Sequence, residues 1–257
     1  MEVSGVELRG MSAIVTGSGR GIGRAIALRL AREGVKVVVN AKKGYEDVIE
    51  TINMIKSVGG EAIPVLADVS TREGCRELVR KAMESFGRLD ILVNNAGLGL
   101  YASFLEQSDA MIEKVLSTSL KSVIYCSQEA AKVMTEGSII NIASIAGIEP
   151  LYGLSIYSAA KAGVIGITKA LAIELAPRIR VNAIAPGIVK TKMGESLLKV
   201  LKLTEEEYLE KYTLLKRFIE PNEIADAVIF LIKTPSITGQ TIVIDAGLSL
   251  ITFRFSM

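Results

Sequence analysis

The chain has 257 residues, 49% of them hydrophobic and 23% charged, with 30 Lys and Arg against 28 Asp and Glu and no histidine. That is enough chain to bury a substantial core, and the near-balance of charge offers no field for nucleic acid or a membrane, so small molecules are the expected partners. The lack of histidine excludes Ser-His-Asp triads, HExxH zinc sites and imidazole bases, which leaves Tyr, Lys, Asp, Glu or Cys as acid or base.

The opening MEVSGVELRG has neither a basic start nor an apolar run, and the longest uncharged stretch, 91–105, is interrupted by Asn and Gly. Neither export nor a membrane span is expected, and the expected compartment is cytoplasmic. Cys75 and Cys126 lie far apart with no CxxC. They are expected to be two reduced, packed thiols, not a disulfide scaffold or a zinc knuckle.

In chain order, SAIVT (12–16) is followed by a helix over about 21–33 and by VKVVVN (35–40); then come EAIPVLA (61–67), DILVNN (90–95), SIINIAS (138–144), RIRVNAIA (178–185) and QTIVID (240–245). β-branched runs alternating with helical segments predict a parallel sheet of seven strands. The runs are apolar on both faces, as in a doubly wound α/β sheet covered by helices on both sides. No repeat, low-complexity tract or Pro/Gly/Ser linker divides residues 1–257, so one domain is expected. The charged segment between strands six and seven predicts a helical insertion at about 191–217, a candidate substrate lid. Within it Thr204 and Glu207 form a capping box, which sets a helix start near 205 and puts Tyr208 and Tyr212 on one face.

The first strand runs into TGSGRGIG (16–23), with spacing TGxxxGxG where GxGxxG is commoner. Glycines let the backbone turn tightly and approach a ligand, and the next helix aims its free N–H groups at the same place, which suits a pyrophosphate. Taken alone, such a loop is as often an ordinary turn; its position after a buried first strand is where a doubly wound fold binds a dinucleotide. Strand two ends NAKK, with no acid from Val35 to Lys43 for a ribose 2′-OH. Arg20, Lys42 and Lys43 suit a 2′-phosphate instead, the two lysines having a solvated turn as their alternative reading.

TGxxxGxG at 16–23, Asp68 and Val69, NNAG at 94–97, Ser144, YSAAK at 157–161, and NAIAPG at 182–187 followed by Thr191 together resemble the short-chain dehydrogenases/reductases, specifically NADP-preferring members similar to 3-oxoacyl carrier-protein reductases. The resemblance covers nearly the whole chain. It implies a single-domain doubly wound Rossmann fold, NADP as cofactor and a homo-oligomer, a tetramer. For the cofactor it implies Gly17, Ser18, Gly19, Arg20, Gly21, Ile22 and Gly23 in the loop, with Asn40 and Lys42 after strand two. Asp68 and Val69 are placed near the adenine, Asn94, Asn95, Ala96 and Gly97 along the cofactor, and Ile188 and Thr191 by the nicotinamide carboxamide, with Pro186, Gly187, Tyr157 and Lys161 also implied in cofactor binding. As catalytic residues it implies Ser144, Tyr157 and Lys161, and Ser119 where the family usually carries an asparagine that holds a water linking the lysine to solvent.

The chemistry agrees with that assignment. Hydride transfer to a ketone leaves an alkoxide that needs a proton, and a free tyrosine with a pKa of about 10 can donate it. An ammonium about 4 Å away contributes roughly 4 kcal/mol to the phenolate at an effective dielectric of about 20, so Lys161 is expected to lower the Tyr157 pKa. Ser144 would hold the carbonyl oxygen. The same spacing recurs at Tyr212 and Lys216, but with no such serine, and reads as surface or lid. A serine at 119 can still bond a water, with less reach and a single donor, or can be a tolerated substitution.

A carbonyl or alcohol substrate is expected against Ile145 to Leu154 and the insertion, with Leu98, Leu100, Leu151, Tyr152 and Met193 as an apolar lining. Arg178 and Arg180 are the candidate approach for an acidic carrier protein bearing it. A sugar or polyol dehydrogenase, or a non-catalytic NADP-sensing protein, are the alternative functions.

Overall fold

The computed structural model describes residues 6–253. Strand β1 (Ser12–Val15) leads through the glycine loop into α1 (Gly21–Arg32), and the alternation continues with β2 (Lys36–Ala41), α2 (Tyr45–Ser57), β3 (Ala62–Leu66), α3 (Arg72–Phe86) and β4 (Ile91–Asn94). The second half runs α4 (Asp109–Leu116), a π-helical turn at Ser117–Lys121, α5 (Ser122–Val133), β5 (Gly137–Ile142), α6 (Ser155–Glu174) and β6 (Ile179–Pro186). The chain then passes α7 (Lys192–Val200), α8 (Glu205–Tyr212), α9 (Pro221–Lys233) and β7 (Thr241–Ile244). All pairings are parallel, in the order β3-β2-β1-β4-β5-β6-β7.

Side chains alternate across this sheet. Ala13 and Val15 of β1 pack with Ile26 and Leu30 of α1, Ile52 of α2 and Val228 of α9. Ile14, between them, points the other way, to Leu78 of α3, Ala130 of α5 and Ala172 of α6. The expectation of strands apolar on both faces holds for the central β1, β2 and β4, but Leu66 of β3 and Val243 of β7 are exposed. Those two strands are the sheet edges, where helices cover less. Pro64 fits in β3 for the same reason, since an edge strand has one neighbour and tolerates a missing N–H.

The strand order reverses between β1 and β4, so connections leave to opposite sides and a crevice opens beyond their carboxyl ends. Helix α6 is long and apolar enough to cross a membrane by length and composition. Here it lies along the sheet with Ala160, Val164 and Ala172 buried, and its Thr168 hydroxyl accepts a 2.9 Å hydrogen bond from Asn141 of β5.

Candidate active site

The crevice is a cleft of about 1400 Å³ that runs from the glycine loop to the insertion. Gly17 and Gly21 turn the loop at φ +63 and +57, in the left-handed region that glycine alone adopts without strain. A Cβ on Gly23 would sit 2.5 Å from the Gly17 carbonyl oxygen, so the first turn of α1 touches the loop only because that side chain is absent. The N-cap of α1 is Arg20, with no side-chain cap and no acid in the first turn. Its leading N–H groups are left to an anion lying in the cleft, which is the fit a pyrophosphate requires.

Of the residues expected at the cofactor or in catalysis, all but Ser18, Asn94 and Ser119 line this cleft, Asn94 being buried with its amide donating to Ser127 and Asn141; Tyr152, expected in the apolar lining, lies outside it and is 77% exposed. Ser18 is fully buried, its hydroxyl donating to Val15 O at 2.6 Å and accepting Asn40 N–H at 2.9 Å, which ties the ends of β1 and β2 together. Asn40 and Asn95 also spend their amides on the scaffold. Asn40 accepts from Gly17 N–H at 3.2 Å and donates to Val65 and Ala67 carbonyls, while Asn95 donates to Thr16 O at 2.8 Å and Gly17 O at 3.2 Å. These asparagines hold the loop in shape.

At the far end of the loop Lys42 is paired with Asp68, Nζ to Oδ2 2.6 Å. Burial pushes the Asp68 carboxyl up, but hydrogen bonds from Lys42 and Ser70 outweigh it and hold it below its usual value. Across the cleft Thr191 caps α7, accepting from Gly194 N–H, and its methyl would lie 3.5 Å from a Cβ on Gly21.

Ser144 follows β5, and Tyr157 and Lys161 stand one turn apart on α6. A Cβ on Gly147 would come within 2.7 Å of the Lys161 backbone, so the turn Ile145–Gly147 presses on α6 and carries Ser144 to Tyr157. Lys161, 3% exposed, donates from Nζ to the Ile142 carbonyl at 2.7 Å and lies 5.7 Å from the Tyr157 ring centroid. Burial lowers its pKa to about 8. Burial also raises the Tyr157 phenol, with a hydrogen bond from Ser144 offsetting part of the rise. Burial here outweighs the Ser144 hydrogen bond, and the Lys161 ammonium, turned to Ile142, is not among the groups that lower the phenol.

Ser119 sits in the π-helical turn, fully buried. Its hydroxyl accepts Leu98 N–H and donates to Leu98 O, both at 2.9 Å. Its single donor is therefore spent on the backbone beyond β4. A Cβ at Gly97 would meet Lys161 Nζ at 3.3 Å and Ser119 Oγ at 3.8 Å, so Gly97 lies between the two.

The rival pair separates. Tyr212 ends α8 and is 41% exposed, while Lys216 lies beyond the helix, bonded to Glu210. Arg180 also departs from expectation: it donates to the carbonyls of Leu231, Ile232, Thr234 and Ile237 at the end of α9 and is turned inward from any carrier protein. Arg178 likewise reaches Met134 O. The sequence reading missed Tyr101, Leu197 and Leu248, which also line the cleft. Tyr101 had a signal, as an aromatic residue just past the NNAG turn; Leu248 had none, being brought in by the chain after β7.

A family model described as enoyl-(acyl carrier protein) reductase matches residues 17–249. A 3-oxoacyl-[acyl-carrier-protein] reductase of Synechocystis sp. is 40% identical over 243 residues, covering 92% of this chain and 96% of its own. A short chain dehydrogenase/reductase of Aspergillus oryzae, astE, is 40% identical over 255 residues, covering 95% and 97%. Among solved structures, a short chain dehydrogenase of Burkholderia cenocepacia J2315 in complex with NADP superposes with a TM-score of 0.88 at 33% identity, covering 95% of this chain and 100% of that one.

Proposed function

The chain belongs to the short-chain dehydrogenase/reductase family of oxidoreductases acting on CH–OH and C=O groups, and we propose that it reduces the ketone of a 3-oxoacyl thioester with NADPH. The observation that carries this reading is the convergence of Ser144, Tyr157 and Lys161 in the same cleft as the uncapped start of α1. When bound, the nicotinamide supplies hydride to the ketone carbon. The N–H groups of the glycine loop and of α1 would hold the pyrophosphate, and Arg20 and Lys42 would take the 2′-phosphate. The Ser144 hydroxyl donates to the ketone oxygen and fixes it beside Tyr157, whose raised pKa keeps the phenol protonated and ready to give its proton as the alkoxide forms. Lys161 then stabilises the phenolate left behind.

Leu98, Leu100, Tyr101, Leu151 and Met193 give the substrate side an apolar lining that favours an acyl chain over a sugar. The Synechocystis relative is named for an acyl-carrier-protein substrate; a carrier approaching here would need cations other than Arg178 and Arg180. We further propose a homo-oligomer, since Ile173 of α6, Phe230 of α9 and Val243 of β7 are exposed apolar side chains that a second copy would cover.

The test is NADPH oxidation followed with 3-oxoacyl thioesters and with sugar ketones. Thioesters are expected to show the higher kcat/KM, and Tyr157→Phe to lose about a thousandfold in kcat with the NADPH Kd nearly unchanged. Faster turnover of sugars, or a fully active Tyr157→Phe, would overturn the reading.

A further inference from the structure

Cys75 and Cys126, separated by 51 positions, meet in the core. Cys75 lies in the first turn of α3 and Cys126 in α5, with exposures of 0% and 1%. Their Sγ atoms approach to 2.6 Å, inside the about 3.5–4.0 Å at which unbonded heavy atoms pack. The only other hydrogen bonds of the two thiols among the described residues run from Cys75 Sγ to the carbonyls of Val69, at 3.4 Å, and Ser122, at 4.0 Å. Paired thiols can also bind a metal, but no group of three His, Cys, Asp or Glu able to hold one forms among the described residues. The contact is thiol to thiol.

We propose that Cys75 and Cys126 form an intramolecular disulfide that staples α3 to α5, made as the chain folds in the presence of a low-molecular-weight disulfide such as oxidised glutathione. One cysteine thiolate attacks a sulfur of the oxidant and expels a glutathione thiolate, leaving a mixed disulfide. The second cysteine thiolate attacks the protein sulfur of that bond and expels the second glutathione thiolate. The two protons lost by the cysteines go to the two departing thiolates, so two protein thiols are oxidised and one glutathione disulfide is reduced to two thiols.

Timing follows from burial. In the folded protein the hydrogen bond with Cys75 and burial push the Cys126 thiol well up, so thiolate is scarce and a tripeptide has no access. The bond therefore forms before α3 and α5 close, and afterwards the same burial shields it from reductants. The closed loop contains β4, Leu98 to Leu105 on the substrate side, α4 and the turn that carries Ser119. Restricting that loop in the unfolded chain stabilises the native state, more so for a long loop than for a short one.

The experiment is to unfold the reduced protein and refold it either in mixed reduced and oxidised glutathione or in excess reductant. Free thiols are then alkylated under denaturing conditions, the products are mapped by mass, and the two Tm values compared. Refolding with glutathione is expected to leave no alkylated cysteine, to link the Cys75 and Cys126 peptides within one chain, and to raise Tm by about 10 °C. In Cys126→Ala the Tm is expected to be the same in both buffers, and Cys75→Ser gives the same comparison if that variant does not refold. Two alkylated cysteines in natively refolded protein, links between chains, an unchanged Tm, or a Tm difference that persists in either variant would overturn the proposal.

Discussion

Lys161 is the residue whose environment departs furthest from what its neighbours in sequence suggest. Its ammonium is buried and bonded to one carbonyl, which brings its pKa from 10.5 to about 8. The charge is thus present below about pH 8 and lost above it. Because that charge supports the phenolate that forms on Tyr157 during reduction, kcat/KM for the ketone is expected to fall as pH rises through about 8; a profile flat from pH 7 to 9 would separate Lys161 from the proton step. Lys42 invites a second prediction. It is neutralised by Asp68, so Lys42→Ala removes a cation and also leaves a carboxylate near the expected 2′-phosphate. Its KM for NADPH should rise at least about tenfold while that for NADH changes little, and Arg20→Ala should act in the same direction. Equal effects on the two cofactors would make both cations bystanders.

Among the elements, α7 and α8 stand apart. They share a small core of Ile188, Leu198 and Tyr208, distinct from those on the two faces of the sheet. Tyr208 is 2% exposed and stacks on Phe218 with centroids 5.5 Å apart, and burial carries its phenol to about 12. The Thr204 and Glu207 capping box forms as the spacing predicts. Since Ile188 also lines the cleft, a loss of packing here should be felt at the substrate. Tyr208→Ala empties a site of a kind worth about 3–5 kcal/mol when an aromatic ring is truncated. We expect KM for the ketone to rise at least about tenfold and proteolysis to begin within 201–213, ahead of global unfolding. A single cooperative unfolding transition without early cleavage would show that the insertion is no separate lid.

For the whole molecule, the sheet order and the apolar residues left outside it lead to the last prediction. Helix α6 carries Tyr157 and Lys161 on one side and Ile173, 80% exposed, on another. If a second copy covers that surface, Ile173→Glu should shift the sedimenting species to a smaller one and lower kcat, because α6 loses support along its length. Unchanged sedimentation would remove α6 from the interface.

Much of this protein is decided by short-range pattern. The seven strands, the glycine loop and the Tyr157–Lys161 spacing each depend on residues within a turn or a strand of one another, where backbone geometry alone sets which side chains share a face. Sequence also disposed of histidine chemistry outright. Whatever depends on partners distant in the chain was decided only by the tertiary structure. Lys161 read as the partner of the Tyr157 phenolate, and β5 places the Ile142 oxygen 2.7 Å from its ammonium; Arg180 read as surface until α9 ended beside it; Ser119 read as either a water ligand or a tolerated substitution, and the fold directs its hydroxyl to Leu98 N–H and O. The two cysteines read as two reduced, packed thiols, and only the closure of α3 on α5 brings their sulfurs to 2.6 Å. Burial and pairing arise when elements close on one another, and spacing along the chain carries no record of which element arrives.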